Sequence, residues 1–138
     1  VILSYHLTRL EEFTEARRSI AREYKEATNS SGVLNVGPRD VSESVWHHFV
    51  IRVNERAEAQ NWFETMGVST DIHYPYSAYK LSPVRDFLPS AYSESSFDNS
   101  DALSDTVLSL PIGPWMDSSQ ISHVADVLSK IPESYISR

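Results

Sequence analysis

The 138 residues carry 12 Lys plus Arg against 19 Asp plus Glu, a net charge of −7, and no cysteine. That balance repels a phosphate backbone, so nucleic acid is not an expected partner. The missing thiols exclude a disulfide scaffold, a thiolate zinc site and a cysteine nucleophile. With 41% hydrophobic residues and no apolar run near the roughly 20 needed to span a bilayer, the expectation is a soluble, cytoplasmic protein with no membrane contact.

Residues 1–138 are read as a single domain, and the opening Val1-Ile2-Leu3, which leads almost at once into a helix, reads as the start of a piece cut from something longer. From Thr8 to about Thr28, Leu10, Phe13, Ile20, Tyr24 and Ala27 recur at helical spacing, with Arg17, Arg18, Arg22 and Lys25 off the stripe. Thr8 and Glu11 fit a capping box at its start, and Asn29 to Gly32 stop it. Val45 to Val53 reads as a strand with Val45, His47, Phe49, Ile51 and Val53 on one face and Trp46, His48, Val50 and Arg52 on the other. Asn54 is placed to cap a helix reaching Met66, with Ala59, Trp62, Phe63 and Met66 buried and Gly67 as a left-handed stop.

Val68 to His73 reads as a second strand. The stretch Pro75 to Ser96, with three prolines among tyrosines and serines, reads as a long loop that touches a ligand or partner. A helical turn at Asp98 to Leu103 and a strand at Val107 to Leu110 follow. The last helix is capped by Asp117 with Gln120 and buries Ile121, Val124, Leu128 and Ile131. Together these elements predict a two-layer α+β fold, a small sheet of about three strands with helices on one face.

Five histidines invite a metal reading. His47 and His48 are adjacent on a strand, where neighbours point to opposite faces, so a structural or hydrogen-bonding role is expected of them and no metal site. His6 and His123 lie on helix surfaces. Gly32, Gly37, Gly67 and Gly113 are scattered and form no phosphate cradle, and no Ser occupies a nucleophile elbow. The concentrated feature is Asp71-Ile72-His73-Tyr74-Pro75-Tyr76-Ser77-Ala78-Tyr79-Lys80, where a strand ends in hydrogen-bonding rings and an ammonium. Residue types alone leave open whether this is a packed aromatic corner or a ligand contact.

Four runs in order, Ser44-Val45-Trp46-His47-His48-Phe49-Val50-Ile51-Arg52, Met66-Gly67-Val68, Ile72-His73-Tyr74-Pro75 and Leu108-Ser109-Leu110-Pro111-Ile112, resemble the C-terminal small domain of the DegT and StrS sugar aminotransferases. The likeness covers about residues 8 to 131. It implies a fold-type I enzyme that uses pyridoxal phosphate to move an amino group, usually from glutamate, to a nucleotide-linked keto sugar in aminosugar or polysaccharide biosynthesis, and that works as a homodimer. In such enzymes the cofactor is held chiefly by a large N-terminal domain. Lys25, Lys80 and Lys130 match no Schiff-base lysine motif, so the resemblance implies that the cofactor-binding domain is absent, that this chain has no catalytic residue, and that it is inactive alone and binds no cofactor. It maps substrate contacts onto His73 and Tyr74, with Tyr79 where a second histidine usually stands. Trp115-Met116 replaces a more polar pair. The alternative is a stand-alone module that binds a sugar, a nucleotide or a protein through the loop Tyr74 to Tyr92.

Overall fold

The computed structural model describes residues 2–87 and 97–137. Strands β1 (Leu34–Asn35), β2 (Phe49–Arg52) and β3 (Val107–Leu110) form one antiparallel sheet in the order β1-β2-β3. Six α-helices accompany it among the described residues: α1 (Ile2–Thr8), α2 (Leu10–Ser31), α3 (Arg56–Thr65), α4 (Ser82–Arg85), α5 (Asp98–Thr106) and α6 (Ser118–Ser129).

Phe49 stands opposite Leu110 and Ile51 opposite Leu108, and facing residues of an antiparallel pair project to the same side. These four side chains are at most 3% exposed and join one buried cluster with Ile20, Ala21 and Tyr24 of α2, Phe63 of α3 and Leu128 of α6. Each such side chain contributes about 1.5–3 kcal/mol on burial. The same register turns Val50, Arg52, Val107 and Ser109 to the other side. Helices on one face and a polar residue on the other agree with the expected two-layer α+β fold.

Several boundaries differ from the sequence reading, each for a local reason. Thr8 closes α1 and its hydroxyl donates back to Tyr5 O at 2.7 Å, so the expected capping box with Glu11 is not formed; α2 starts after Arg9, whose Nε donates to Glu12 Oε2 at 2.9 Å. Gly32 does end α2 in the left-handed region, at φ 81°. The strand expected from Val45 begins only at Phe49, because Trp46 adopts φ 48° and the break resets the alternation. Trp46 is therefore buried, stacked on Phe49 with centroids 5.4 Å apart, on the side opposite to the one the alternation assigned. Asn54 does not cap α3, which starts after Glu55 at φ 44°; its Nδ2 donates to Ile136 O at 2.9 Å. Met66, expected in the core, is exposed, and Trp62 is half-buried.

Val68–His73 is no strand. It meets β3 in a single bridge, Asp71 with Ser109, and the third strand is the two-residue β1. The helix expected at Asp98–Leu103 extends to Thr106, and the Asp117–Gln120 capping box is present on both of its bonds. No helix among the described residues is long and apolar enough to cross a membrane. The far part of the aromatic loop, with Pro89 and Tyr92, lies outside the described residues.

Candidate functional site

The residues before β2 are set by α2. Arg17 Nε donates to Val45 O at 2.8 Å, and Arg18 donates to Ser44 O at 3.0 Å and Ser42 O at 2.7 Å. Trp46 Nε1 donates to Val41 O at 2.8 Å, and a β-carbon on Gly37 would come within 2.9 Å of the Trp46 ring, so that position requires glycine. This anchored turn brings together what strand alternation separates. The His47 and His48 rings are 4.1 Å apart at their centroids, and His48 lies 3.7 Å from His73.

His73 sits on the polar side of the sheet because Ser109, between the buried Leu108 and Leu110, points that way. Its Nδ1 is 3.0 Å from Ser109 Oγ, and its Nε2 is 3.8 Å from Asp71 Oδ2. Burial, and then the neighbouring charges of His73 and His47, hold the His48 imidazolium below its usual range, so this ring favours the neutral form. The three imidazoles, with Asp71 and Ser109, line a cleft of about 340 Å³ whose chemistry is hydrogen bonding to hydroxyl groups. Among the described residues no group of three or more His, Asp or Glu is arranged to hold a metal ion.

A second polar cluster holds the loop beyond Pro75. Asp101 of α5 accepts from Ser77 Oγ at 2.5 Å and from the Tyr79 phenol at 2.7 Å, and Lys80 Nζ lies 2.9 Å from the same carboxylate. These three bonds lower the Asp101 carboxyl to about 2, and the bond to Asp101 raises the Tyr79 phenol. Tyr79 also stacks on Phe97 at 4.4 Å.

The three sequence-predicted contacts thus fall in different places. His73 lines the histidine cleft, Tyr74 is 77% exposed at a separate cleft of about 320 Å³ shared with Tyr76 and Leu103, and Tyr79 is committed to Asp101. His47, His48, Ser109 and Asp101 were not among the predicted contacts. Ser109 had a legible signal, a lone hydroxyl between two core leucines on a strand. A third cleft, of about 460 Å³, adjoins the histidine cleft through the shared residues Ser69, Pro111 and Ile112 and ends at Trp115 and His123.

A small antiparallel sheet backed by helices, with histidine and tyrosine at its polar margin, is shared with solved sugar aminotransferases. The crystal structure of S. venezuelae DesV in complex with a ketimine intermediate superposes with a TM-score of 0.75 at 27% identity, over 94% of this chain and 34% of that one. A dTDP-3-amino-3,6-dideoxy-alpha-D-galactopyranose transaminase from Aneurinibacillus thermoaerophilus is 31% identical over 129 residues, 94% of this chain and 34% of the relative. A dTDP-3-amino-3,4,6-trideoxy-alpha-D-glucose transaminase from Streptomyces venezuelae is 29% identical, again over 34% of its own length. The sequence model of the DegT/DnrJ/EryC1/StrS aminotransferase family matches residues 1–129, and the chain belongs to that family. It spans about a third of the length of these relatives.

Proposed function

We propose that this chain is the small domain of a pyridoxal-phosphate aminotransferase acting on a nucleotide-linked keto sugar, and that it closes over the sugar while residues outside these 138 hold the cofactor. The observation that carries the reading is the matched span: 94% of the chain aligns with only 34% of a transaminase named for such a sugar. Glutamate as amino donor, a homodimer and a cytoplasmic setting follow from the family resemblance.

The donors of this chain do not fit the cofactor. Pyridoxal phosphate takes a lysine amine, an acid for its ring nitrogen and a cradle for its phosphate. Here Lys80 is paired with Asp101, Lys130 with Asp126 at 2.7 Å, and the Lys25 ammonium lies 5.5 Å above the Trp46 ring. No transfer step is therefore routed through these residues. Their part is to bind and orient: His73, steadied at Nδ1 by Ser109, offers Nε2 to a sugar hydroxyl; Tyr74 offers an open phenol; and Tyr79 braces the loop through Asp101. Leu3, Leu7 and Leu10 are 79%, 68% and 53% exposed at helical spacing, an apolar face that a neighbouring domain would cover.

Two measurements test the reading. Incubated with pyridoxal phosphate, the chain should develop no stable absorbance band of lysine-bound cofactor; a band that Lys80→Ala removes would overturn it. In a polypeptide that carries the rest of the enzyme, His73→Ala should lower kcat/KM for the nucleotide-linked sugar by about tenfold, the loss of one hydrogen bond. An unchanged value refutes the role given to His73. Full amino transfer by these residues alone would instead favour neither the small-domain reading nor a mere binding module.

A further inference from the structure

The Trp115 end of the third cleft has a composition unlike that of the histidine end. Trp115 is 83% exposed, yet its ring is not loose: a β-carbon on Gly113 would meet it at 2.7 Å, so the indole lies against the Gly113 backbone with its remaining surface open. Ile112 and Met116 continue the apolar floor. Two polar groups complete it, and both have one hydrogen-bonding end already fixed.

Gln120 Oε1 accepts from Asp117 N at 3.0 Å in the capping box, which turns the amide nitrogen, a donor without a partner among the described residues, outward from that bond. His123 Nε2 is 2.9 Å from Met66 O, and a carbonyl can only accept, so the proton of the neutral ring sits on Nε2 and Nδ1 is left as an acceptor. An exposed indole beside one free donor and one free acceptor is the complement of a flat ring that carries a carbonyl next to an N–H. The imide edge of thymine or uracil has that pattern; cytosine, whose ring nitrogen at the same place is an acceptor, does not.

We infer that Trp115, Gln120 and His123 form a subsite for the imide-bearing pyrimidine base of the nucleotide-linked sugar, with the sugar directed along Ser69, Pro111 and Ile112 toward His73. The inference rests on the proposed function for its substrate class and adds the part of the chain that reads the base. The indole supplies the stacking surface, and the two polar groups select the imide.

The test is NMR on the isotope-labelled chain with thymidine diphosphate added to about 5 mM, a range suited to a weak single-subsite contact. The expected result is a saturable shift of the Trp115 indole N–H that disappears with Trp115→Ala and persists, weakened, in neighbouring resonances of Trp115→Phe. Cytidine diphosphate should bind about threefold to tenfold more weakly, the worth of one mismatched hydrogen bond. No shift with thymidine diphosphate overturns the subsite. So does an equal shift with inorganic pyrophosphate, which would place the contact on the phosphates, or a shift that grows with protein concentration alone, which would assign the cleft to a second copy of the chain. Equal binding of the two nucleotides overturns the selection of the imide.

In the complete enzyme Trp115→Ala should raise KM for the nucleotide-linked sugar about tenfold with kcat nearly unchanged. An active enzyme with unaltered KM sinks the subsite and spares the proposed function. A catalytically dead enzyme whose small domain still binds thymidine diphosphate at Trp115 does the reverse.

Discussion

The two faces of the sheet are held by different forces. On the helix side, Phe49, Ile51, Leu108 and Leu110 are sealed against Tyr24, Phe63 and Leu128, and cohesion comes from removing apolar surface from water. On the other side, His73 rests on Ser109, and Ser77, Tyr79 and Lys80 converge on Asp101; cohesion there comes from directed bonds to groups that titrate. The first face should therefore respond to volume and be indifferent to proton concentration, and the second should do the opposite. A recognition surface can vary on such a scaffold without disturbing what the helices pack against.

Phe49→Ala attacks the apolar side at its centre, between Tyr24 at 5.2 Å and Trp46 at 5.4 Å, and should cost about 3–5 kcal/mol in urea unfolding. A loss under about 1 kcal/mol would mean that the two faces do not differ as described. Tyr24→Phe is a gentler probe of the same side. It deletes the hydroxyl that donates to Pro111 O at 2.9 Å and leaves that carbonyl short of a partner, for an expected loss of about 1–2 kcal/mol. Because burial holds this phenol protonated well above its ordinary range, the Tyr24→Phe loss should be constant from pH 5 to pH 9, a flatness expected of the apolar face.

The polar side should give the smallest and most pH-dependent effects. His48 is depressed in the folded chain, so the unfolded chain takes up more protons; its contribution is complete above the ordinary value of 6.5 and falls as pH drops below it. Asp101 is depressed from 3.8 to about 2, so its contribution is complete above 3.8 and is lost as pH falls through about 2. His48→Gln should flatten the upper window of a stability profile, and Asp101→Asn the lower one. If either profile keeps the wild-type slope in its window, the assignment of that window to the polar face is wrong.

Much of the apolar side was legible in the sequence, because burial imprints a period on it: the stripe of α2, the strand Val107–Leu110 and the Asp117–Gln120 cap all stand where spacing put them. Val127 completes a core that periodicity had only partly filled. Strand β1, at two residues, is too short to carry an alternation, and Val68–His73 had the right residue types but forms one bridge only. The polar side was less legible for a different reason. Asp101 is 22 to 24 residues from the side chains it gathers, and such distances leave no pattern for a local window to detect. The error at His47 and His48 came from trusting alternation across Trp46, where a left-handed residue breaks it.

That left-handed residue has a wider meaning. Tryptophan gains nothing locally from φ 48°, and the conformation is retained because guanidinium groups some 24 to 28 residues upstream grip the carbonyls just before it. The neighbourhood of the imidazoles is thus inherited from a remote helix. Grafted onto another scaffold, the His-His dipeptide would arrive without its companions, whereas a change at Arg17 or Arg18, far from any ligand, would scatter them.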